Sequence, residues 1–85
     1  MRMTSRVVWW HADLQFAVLE RHGGFAVASV YDGLIELGDE LHGKLPMEGA
    51  CQLTESVSGR SVWLSVEAVG LTEEEVSELL GHLRD

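Results

Sequence analysis

Along most of this 85-residue chain, hydrophobic and polar residues alternate with a period of two, and helical spacing begins only near the C-terminus. Strict alternation over several residues is typical of a β-strand that has one face in a core and one in water. The clearest example spans residues 61–68, and its predicted inner face consists of Val62, Leu64, Val66 and Ala68. On this pattern Trp63 and Glu67 lie on the opposite, solvent-facing side.

Further segments are rich in β-branched and aromatic residues and predict additional strands. Residues 6–10 form the first. The segments LQFAVLER (14–21) and FAVASVYD (25–32) flank the sequence HGG, and ACQLTES (50–56) is followed after a short turn by the strand at 60–69. Pairs of β-prone segments joined by a short glycine-containing turn are typical of β-hairpins. Two antiparallel hairpins are therefore predicted.

A glycine-rich segment between the two hairpins predicts a short, bent strand. Leu41, Gly43 and Leu45 share one parity, which places a glycine on the inner face, and Pro46 is expected to close the strand. Glycine at such a position allows a sheet to curl into a small barrel. A phosphate-binding loop is the alternative, but neither GxGxxG nor GxxxxGK[ST] occurs, so the structural interpretation is preferred.

The last segment predicts a helix over residues 72–84. Thr72 and Glu75 have the spacing of a capping box, while Leu71 and Val76 have that of a hydrophobic staple. The following residues repeat at i, i+3, i+4 and i+7 and form one apolar stripe: Val76, Leu79, Leu80 and Leu83.

Together these elements predict a mainly β protein with one C-terminal helix, forming a single domain over residues 1–85. Five or six short antiparallel strands are expected in a strongly bent sheet or a small, partly closed barrel of OB-like or SH3-like kind. The helix is expected to plug one end of the barrel or to pack across one face. An open α+β sandwich is the alternative. The resemblance to OB-like and SH3-like barrels is one of pattern, without a family motif.

The adjacent Trp9 and Trp10 raise a question about this barrel, because neighbouring residues in a strand point to opposite faces. One ring is expected inside, and parity alone leaves open which one. The outward ring and Trp63 have two interpretations: they pack beneath the C-terminal helix, or they form an anchor for a partner, with Tyr31 or Phe25 nearby.

Composition supports a folded, globular chain, with 46% hydrophobic and 24% charged residues. Cys51 is the single cysteine, which excludes an intramolecular disulfide, and its apolar surroundings in the sequence predict a core position. The sequence contains neither an apolar run of membrane-spanning length nor the apolar region of a signal peptide. A cytoplasmic protein without membrane contact is predicted.

The charge balance is strongly acidic, with 14 Asp and Glu against 6 Lys and Arg and a net charge of −8. Binding to a phosphate backbone depends mainly on Lys and Arg, so direct nucleic-acid binding is disfavoured. Acidic surfaces accelerate encounter with basic partners, although they also serve solubility. An acidic cluster is predicted around the bent segment, at Glu36, Asp39, Glu40 and Glu48.

Metal binding and catalysis have little support in the sequence. The four histidines lack a close pair such as HxxxH, and CxxC is absent. No nucleophile-elbow sequence accompanies the Ser, His and Asp residues. We therefore expect no metal, no cofactor and no enzymatic activity, and a small enzyme ranks third among the hypotheses.

The favoured hypothesis is an acidic protein–protein interaction module, for example an inhibitor or decoy that acts on a basic or nucleic-acid-handling protein, or a homodimer through the same face. The candidate partner-binding residues are Trp10, Tyr31, Glu36, Asp39, Glu40, Trp63 and Glu67. The alternative is an OB-like domain that binds single-stranded nucleic acid or a small ligand. Nucleic-acid binding would require most of the following to converge on one groove: Arg2, Arg6, Arg21, Lys44 and Arg60.

Overall fold

The structure is a computed structural model that describes residues 4–84, with side chains up to residue 81. Its elements are β1 (Thr4–His11), β2 (Phe16–Arg21), β3 (Gly24–Asp32), β4 (Glu40–His42), β5 (Gly49–Glu55), β6 (Ser61–Leu71) and α1 (Glu73–Arg84). The strands form one closed antiparallel barrel in the order β1-β2-β3-β6-β5-β4. The prediction of a small barrel with one helix is confirmed, and six strands are present.

Closure depends on β1, which pairs with β2 along one edge and with the short β4 along the other. The β1–β4 pairing runs from Thr4 opposite His42 to Arg6 opposite Glu40. The predicted alternative, an open sandwich, is therefore wrong, and the barrel is fully rather than partly closed. β4 is shorter than the glycine-rich segment suggested, because the chain leaves the strand at Gly43, where φ is +140°.

The barrel interior is filled by aliphatic side chains. The most deeply buried among them include Leu19, Leu41, Leu53 and Leu64. Cys51 packs against this interior cluster, as predicted for a core cysteine, and burial raises the pKa of its thiol. Glycine is favoured at position 43, because φ is +140° and a Cβ there would lie 2.7 Å from Leu53 Cδ2, which would have to shift.

The loops that connect the strands lie at two opposite ends of the barrel, which we name the Gly24 end and the Asp32 end. The Gly24 end contains the β2–β3 turn and the loop 43–48, and the Asp32 end contains the turn 12–15, the crossover loop 33–39 and the β5–β6 loop 56–60. At the β2–β3 turn, His22 and Gly23 both have positive φ, as a two-residue hairpin turn of type I′ requires. The predicted hairpin at HGG is thus present.

A β-bulge in β1 explains how the chain places two adjacent tryptophans. The pairing with β2 shifts between Val7 and Trp9, so that one residue of β1 is left without a partner. Val7 and Trp10 consequently both pack with the interior cluster, while Trp9 faces outward. Trp10 is therefore the inner ring, although both rings are half-buried.

A second bulge, in β6, corrects one sequence prediction. Val66 pairs with Ala28 and Ala68 pairs with Val27, which leaves Glu67 as the extra residue. The extra residue reverses the alternation, so Ala68 packs on the outside of the barrel with Val27. The prediction that Ala68 belongs to the inner face of β6 is wrong for this reason.

The helix begins as predicted. The Glu75 amide donates to Thr72 Oγ1 at 3.2 Å, and the Thr72 amide donates to Glu75 Oε1 at 3.0 Å, which completes the capping box. Val76, Leu79 and Leu80 pack across the outer face, against a cluster that includes Val18 and Val27. The helix therefore covers a face and does not plug an end. The predicted stripe residue Leu83 lies outside the described side chains.

Trp9, Phe16 and Phe25 belong to this same outer cluster. The edge of the Phe16 ring meets the Trp9 ring at 6.4 Å between centroids. The interpretation that an outward tryptophan packs with the C-terminal helix thus applies to Trp9, and it does not apply to Trp63, which lies outside the cluster.

Glu55 organises the β5–β6 loop at the Asp32 end. Its buried carboxylate accepts hydrogen bonds from the Val57 amide at 2.8 Å, the Ser58 amide at 2.9 Å and Ser58 Oγ at 2.7 Å. These hydrogen bonds, with a smaller effect from the Arg60 charge, lower the pKa of Glu55 to about 2. Both oxygens of the Glu55 carboxylate thus accept hydrogen bonds within its own hairpin.

The substitution Val76→Asp is expected to release the helix, because it places an unpaired charge in the outer cluster at a cost of at least about 2 kcal/mol. Far-UV circular dichroism should show loss of the helical signal while the β signal remains. Ser77→Asp, at the neighbouring exposed position, is the matched control and should leave the helix in place. Equal spectra for the two variants would contradict this assignment of the helix face.

Glu55→Gln is expected to lower the free energy of unfolding at pH 7, because the charged acceptor of three hydrogen bonds is lost. The pKa of Glu55 falls from 4.5 to about 2 on folding, so its contribution is present above pH 4.5 and disappears as the pH falls toward 2. Urea unfolding at several pH values should show the wild-type and variant curves converging over this range. A constant difference down to pH 2 would contradict the assignment.

Candidate partner-binding surface

The outer surface of β3, β6 and β5 carries Trp63 at its centre. Trp63 pairs across the strands with Gln52 of β5 and with Asp32 of β3, and 39% of the residue is exposed. We call this surface the Trp63 face, which consists of Ser29, Tyr31, Asp32, Gln52, Trp63, Ser65 and Glu67. The outward direction of Trp63 agrees with the alternation along residues 61–67.

A third bulge shapes the Trp63 face. Val30 pairs with Leu64 and Asp32 pairs with Trp63, so Tyr31 is an extra residue on β3. Tyr31 is 54% exposed and Asp32 is also exposed, which places a phenol and a carboxylate on the same outer surface as the indole ring. Of these two residues, Asp32 is the cross-strand neighbour of Trp63.

At the Asp32 end, the Trp63 face continues into a cleft of about 390 Å³. Trp10 and Val30 line the inner part of this cleft, while Tyr31, Asp32 and Leu34 line its outer part. Two of the predicted site residues, Trp10 and Tyr31, thus line one cleft. The Leu34 side chain is 70% exposed.

The backbone at this cleft is strained. Gln15, which also lines the cleft, has φ of +52°, an uncommon conformation for a residue other than glycine. It is held there because its carbonyl accepts a hydrogen bond from the Val30 amide at 2.7 Å. Strained residues of this kind occur more often at functional sites than elsewhere.

In the opposite direction, the Trp63 face leads to a groove of about 440 Å³ between the barrel and α1. We call it the helix groove. Its apolar lining consists of Val27, Ala68, Leu71 and Leu79, and its acidic lining consists of Glu75 and Glu78. Glu67 lies between this groove and Trp63 on β6, and its carboxylate accepts a hydrogen bond from Ser29 Oγ at 3.3 Å.

The predicted acidic cluster Glu36, Asp39, Glu40 and Glu48 is not a single patch, because Glu48 lies in the loop 43–48 at the Gly24 end and the crossover loop 33–39 lies at the Asp32 end. Asp39 Oδ2 accepts a hydrogen bond from the Glu36 amide at 2.9 Å within the crossover loop. Glu40 forms an ion pair with Arg6 at 3.7 Å across β1 and β4. Because β5 separates β4 from β6, Glu40 is not a strand neighbour of Trp63.

The predicted set is therefore divided. Tyr31, Trp63 and Glu67 share the Trp63 face, Trp10 joins them through the cleft, and the set Glu36, Asp39 and Glu40 lies along the crossover loop and the β1–β4 seam. Sequence reasoning missed Asp32 and Gln52 beside the indole, because only the register between strands identifies them. Sequence reasoning also missed Glu75 and Glu78 as residues of the helix groove, because a helical pattern does not show which strands the helix contacts.

Within the part of the chain that the structure describes, no group of three or more His, Cys, Asp or Glu side chains could hold a metal ion. No helix in residues 4–84 has the length and apolar character needed to cross a membrane.

Comparison with known proteins does not name the site. No protein-family model, no curated protein and no solved structure matches this chain significantly. The function must therefore be argued from the surface chemistry of the barrel itself.

The exposure of Trp63 predicts its response to a soluble fluorescence quencher. Acrylamide should quench Trp63 more efficiently than the half-buried Trp9 and Trp10. Trp63→Phe should remove most of the readily quenched fluorescence, whereas the matched variant Trp9→Phe should retain it. If Trp63→Phe leaves the quenching curve unchanged, the indole is enclosed and the Trp63 face is wrongly described.

Proposed function

We propose that this protein is a protein–protein interaction module that binds a basic partner through the Trp63 face and the helix groove. The observation that carries the proposal is the exposed indole of Trp63 on a central strand of the outer surface, between Asp32 and Gln52 and outside the cluster covered by the helix. Tryptophan and tyrosine are enriched among the residues that dominate binding energy at interfaces.

The shape of the surface supports a macromolecular partner. The Trp63 face lies between two recesses. One is the cleft at the Asp32 end, and the other is the helix groove. The mainly apolar helix groove suits inserted apolar side chains, and the cleft at the Asp32 end has a mixed polar and apolar lining. The Ser and Gln residues of the Trp63 face can form the polar rim.

Charge indicates the kind of partner. Four carboxylates lie on this surface: Asp32, Glu67, Glu75 and Glu78. The nearest cation in sequence, Arg60, donates from Nε to Ser58 Oγ at 2.9 Å and is held to its own hairpin. A partner with Lys and Arg side chains around an apolar centre would complement the surface and associate faster at low salt.

The same charges weigh against the homodimer as the main assembly. In a twofold dimer through the Trp63 face, each carboxylate would approach the same acidic surface of the second copy. Like charges brought together across an interface are unfavourable, so a basic partner is the better occupant.

The alternative of a barrel that binds single-stranded nucleic acid requires a continuous basic groove. Arg6 and Arg21 share a groove with Glu20 and Glu40, and Lys44 lies in the loop 43–48 at the same end of the barrel. Arg60 lies at the opposite end, and Arg2 lies outside the described residues. The cations of the groove are thus interleaved with carboxylates and do not form a continuous basic surface. This arrangement favours the protein partner. An inhibitor or decoy that covers the nucleic-acid site of its target is the specific form we propose, in the cytoplasm and without catalysis.

The proposal predicts that Trp63→Ser abolishes capture of partners. The tagged wild-type protein, Trp63→Ser and Val57→Ser should each be used in quantitative affinity purification from the source cells. Val57 is 93% exposed in the β5–β6 loop and serves as the matched control. Proteins retained by the wild type and by Val57→Ser but lost with Trp63→Ser should be basic.

Binding of these captured proteins should weaken at high salt and with the variant Glu67→Gln. If the target handles nucleic acids, an oligonucleotide bound to the target should compete with this protein. Thermal unfolding of each variant verifies that the barrel is folded. An identical set of captured proteins for wild type and Trp63→Ser contradicts the proposal, and a concentration-dependent dimer mass abolished by Trp63→Ser would establish self-association in its place.

A further inference from the structure

A separate cleft of about 340 Å³ opens at the Gly24 end, away from the Trp63 face. Its lining includes Ala26, Leu45 and Val69, which also belong to or pack against the interior cluster of the barrel. Phe25 and Met47 form apolar walls, and Met47 is 80% exposed. The cleft therefore leads from solvent to the apolar interior of the barrel.

Two glycines keep this cleft open. Gly24 has no positive φ, and a Cβ added to it would meet its nearest neighbour, the Arg21 carbonyl oxygen, at 3.8 Å. At Gly70, where φ is +70°, a Cβ would have no neighbour within 4 Å. The space at both positions is thus free of other parts of the chain, and a side chain at Gly24 would occupy it without a backbone clash.

The mouth of the cleft contains one guanidinium group. Arg21 lines it together with the ring of His22, and no carboxylate is among the lining residues. Two residues of opposite charge adjoin this lining, because Lys44 directly precedes Leu45 and Glu48 directly follows Met47. Glu20 and Glu40 line an adjoining groove, where Glu40 is paired with Arg6. Among the side chains that the structure describes, Arg21 has no carboxylate within ion-pair distance.

An apolar recess with a few polar groups at its opening is the usual form of a small-molecule site. We propose that this cleft binds an amphipathic organic anion, with its hydrocarbon part against Ala26, Leu45 and Val69 and its carboxylate near Arg21. A guanidinium group provides paired N–H donors that match the two oxygens of a carboxylate. The site is distinct from the Trp63 face and lies at the opposite end of the barrel from the Tyr31 cleft, and its lining residues Phe25 and Gly70 adjoin Leu71 of the helix groove.

Octanoate is the probe, and isothermal titration calorimetry or chemical-shift changes measure its binding. A ligand of this size in a partly open cleft is expected to bind with Kd of roughly 0.1–1 mM. Octan-1-ol, which has the same chain without the charge, should bind more weakly. Hexanoate should also bind more weakly, because each buried methylene contributes up to about fourfold in affinity.

Two variants locate the site. Gly24→Val should abolish octanoate binding by filling the cleft, and its thermal unfolding shows whether the barrel is retained. Arg21→Gln should weaken octanoate by roughly three- to tenfold and leave octan-1-ol unchanged. Arg60→Gln, at the opposite end, is the matched control and should leave both ligands unchanged.

Absence of octanoate binding at millimolar concentration would overturn the proposal. Equal octanoate affinity in the wild type and in Arg21→Gln would also overturn it. The same holds if Arg21→Gln and Arg60→Gln weaken octanoate binding equally, because the effect would then not depend on the cleft. Chemical-shift changes at Trp63 or Tyr31 in place of Gly24 and Val69 would also overturn it, because they would assign the ligand to the partner-binding surface.

Discussion

The structure depends on the narrow interior of a six-stranded closed barrel, which accommodates Ala, Val, Leu and Ile side chains. Interiors pack at the density of organic crystals, so a lumen filled by aliphatic side chains has no space for an additional ring. The aromatic residues consequently lie at an end, as Trp10 does, or on the outside of the barrel. The outer surface therefore carries most of the aromatic side chains: Trp9, Phe16, Phe25, Tyr31 and Trp63.

The C-terminal helix covers only part of that surface. Its apolar side packs with Trp9, Phe16 and Phe25, which form a second hydrophobic cluster outside the barrel. Tyr31 and Trp63 lie beyond this cluster on the same side of the sheet, where Asp32 and Glu67 accompany them. Closure of the barrel and the short length of the helix thus leave an aromatic, acidic surface exposed. The Gly24 end of the barrel has different chemistry, since its cleft is apolar and Arg21 lies at its mouth.

The alternation of apolar residues and the capping box were sufficient to predict the strands, the helix and the small barrel. Alternation also predicted correctly that Trp63 faces outward. It failed at Ala68 and left Trp9 and Trp10 undecided, because a β-bulge at each place reverses the parity and has no distinctive sequence. The polar neighbours of Trp63 could not be predicted either, because only the register between strands places Asp32 and Gln52 next to Trp63. Contacts between distant segments, rather than local preference, decide which predicted site residues meet.

The placement of the tryptophan rings relative to the lumen is tested most directly by nuclear Overhauser contacts to assigned methyl groups. The Trp63 indole should show contacts to protons of Gln52 and Asp32 and none to the methyl groups of Leu19 and Leu41 deep in the barrel. The Trp9 indole should contact the outer cluster, including Val18. Contacts from the Trp63 ring to the Leu19 and Leu41 methyl groups would contradict the account, because they would place an aromatic ring inside the barrel and remove the exposed surface on which the proposed partner binding depends.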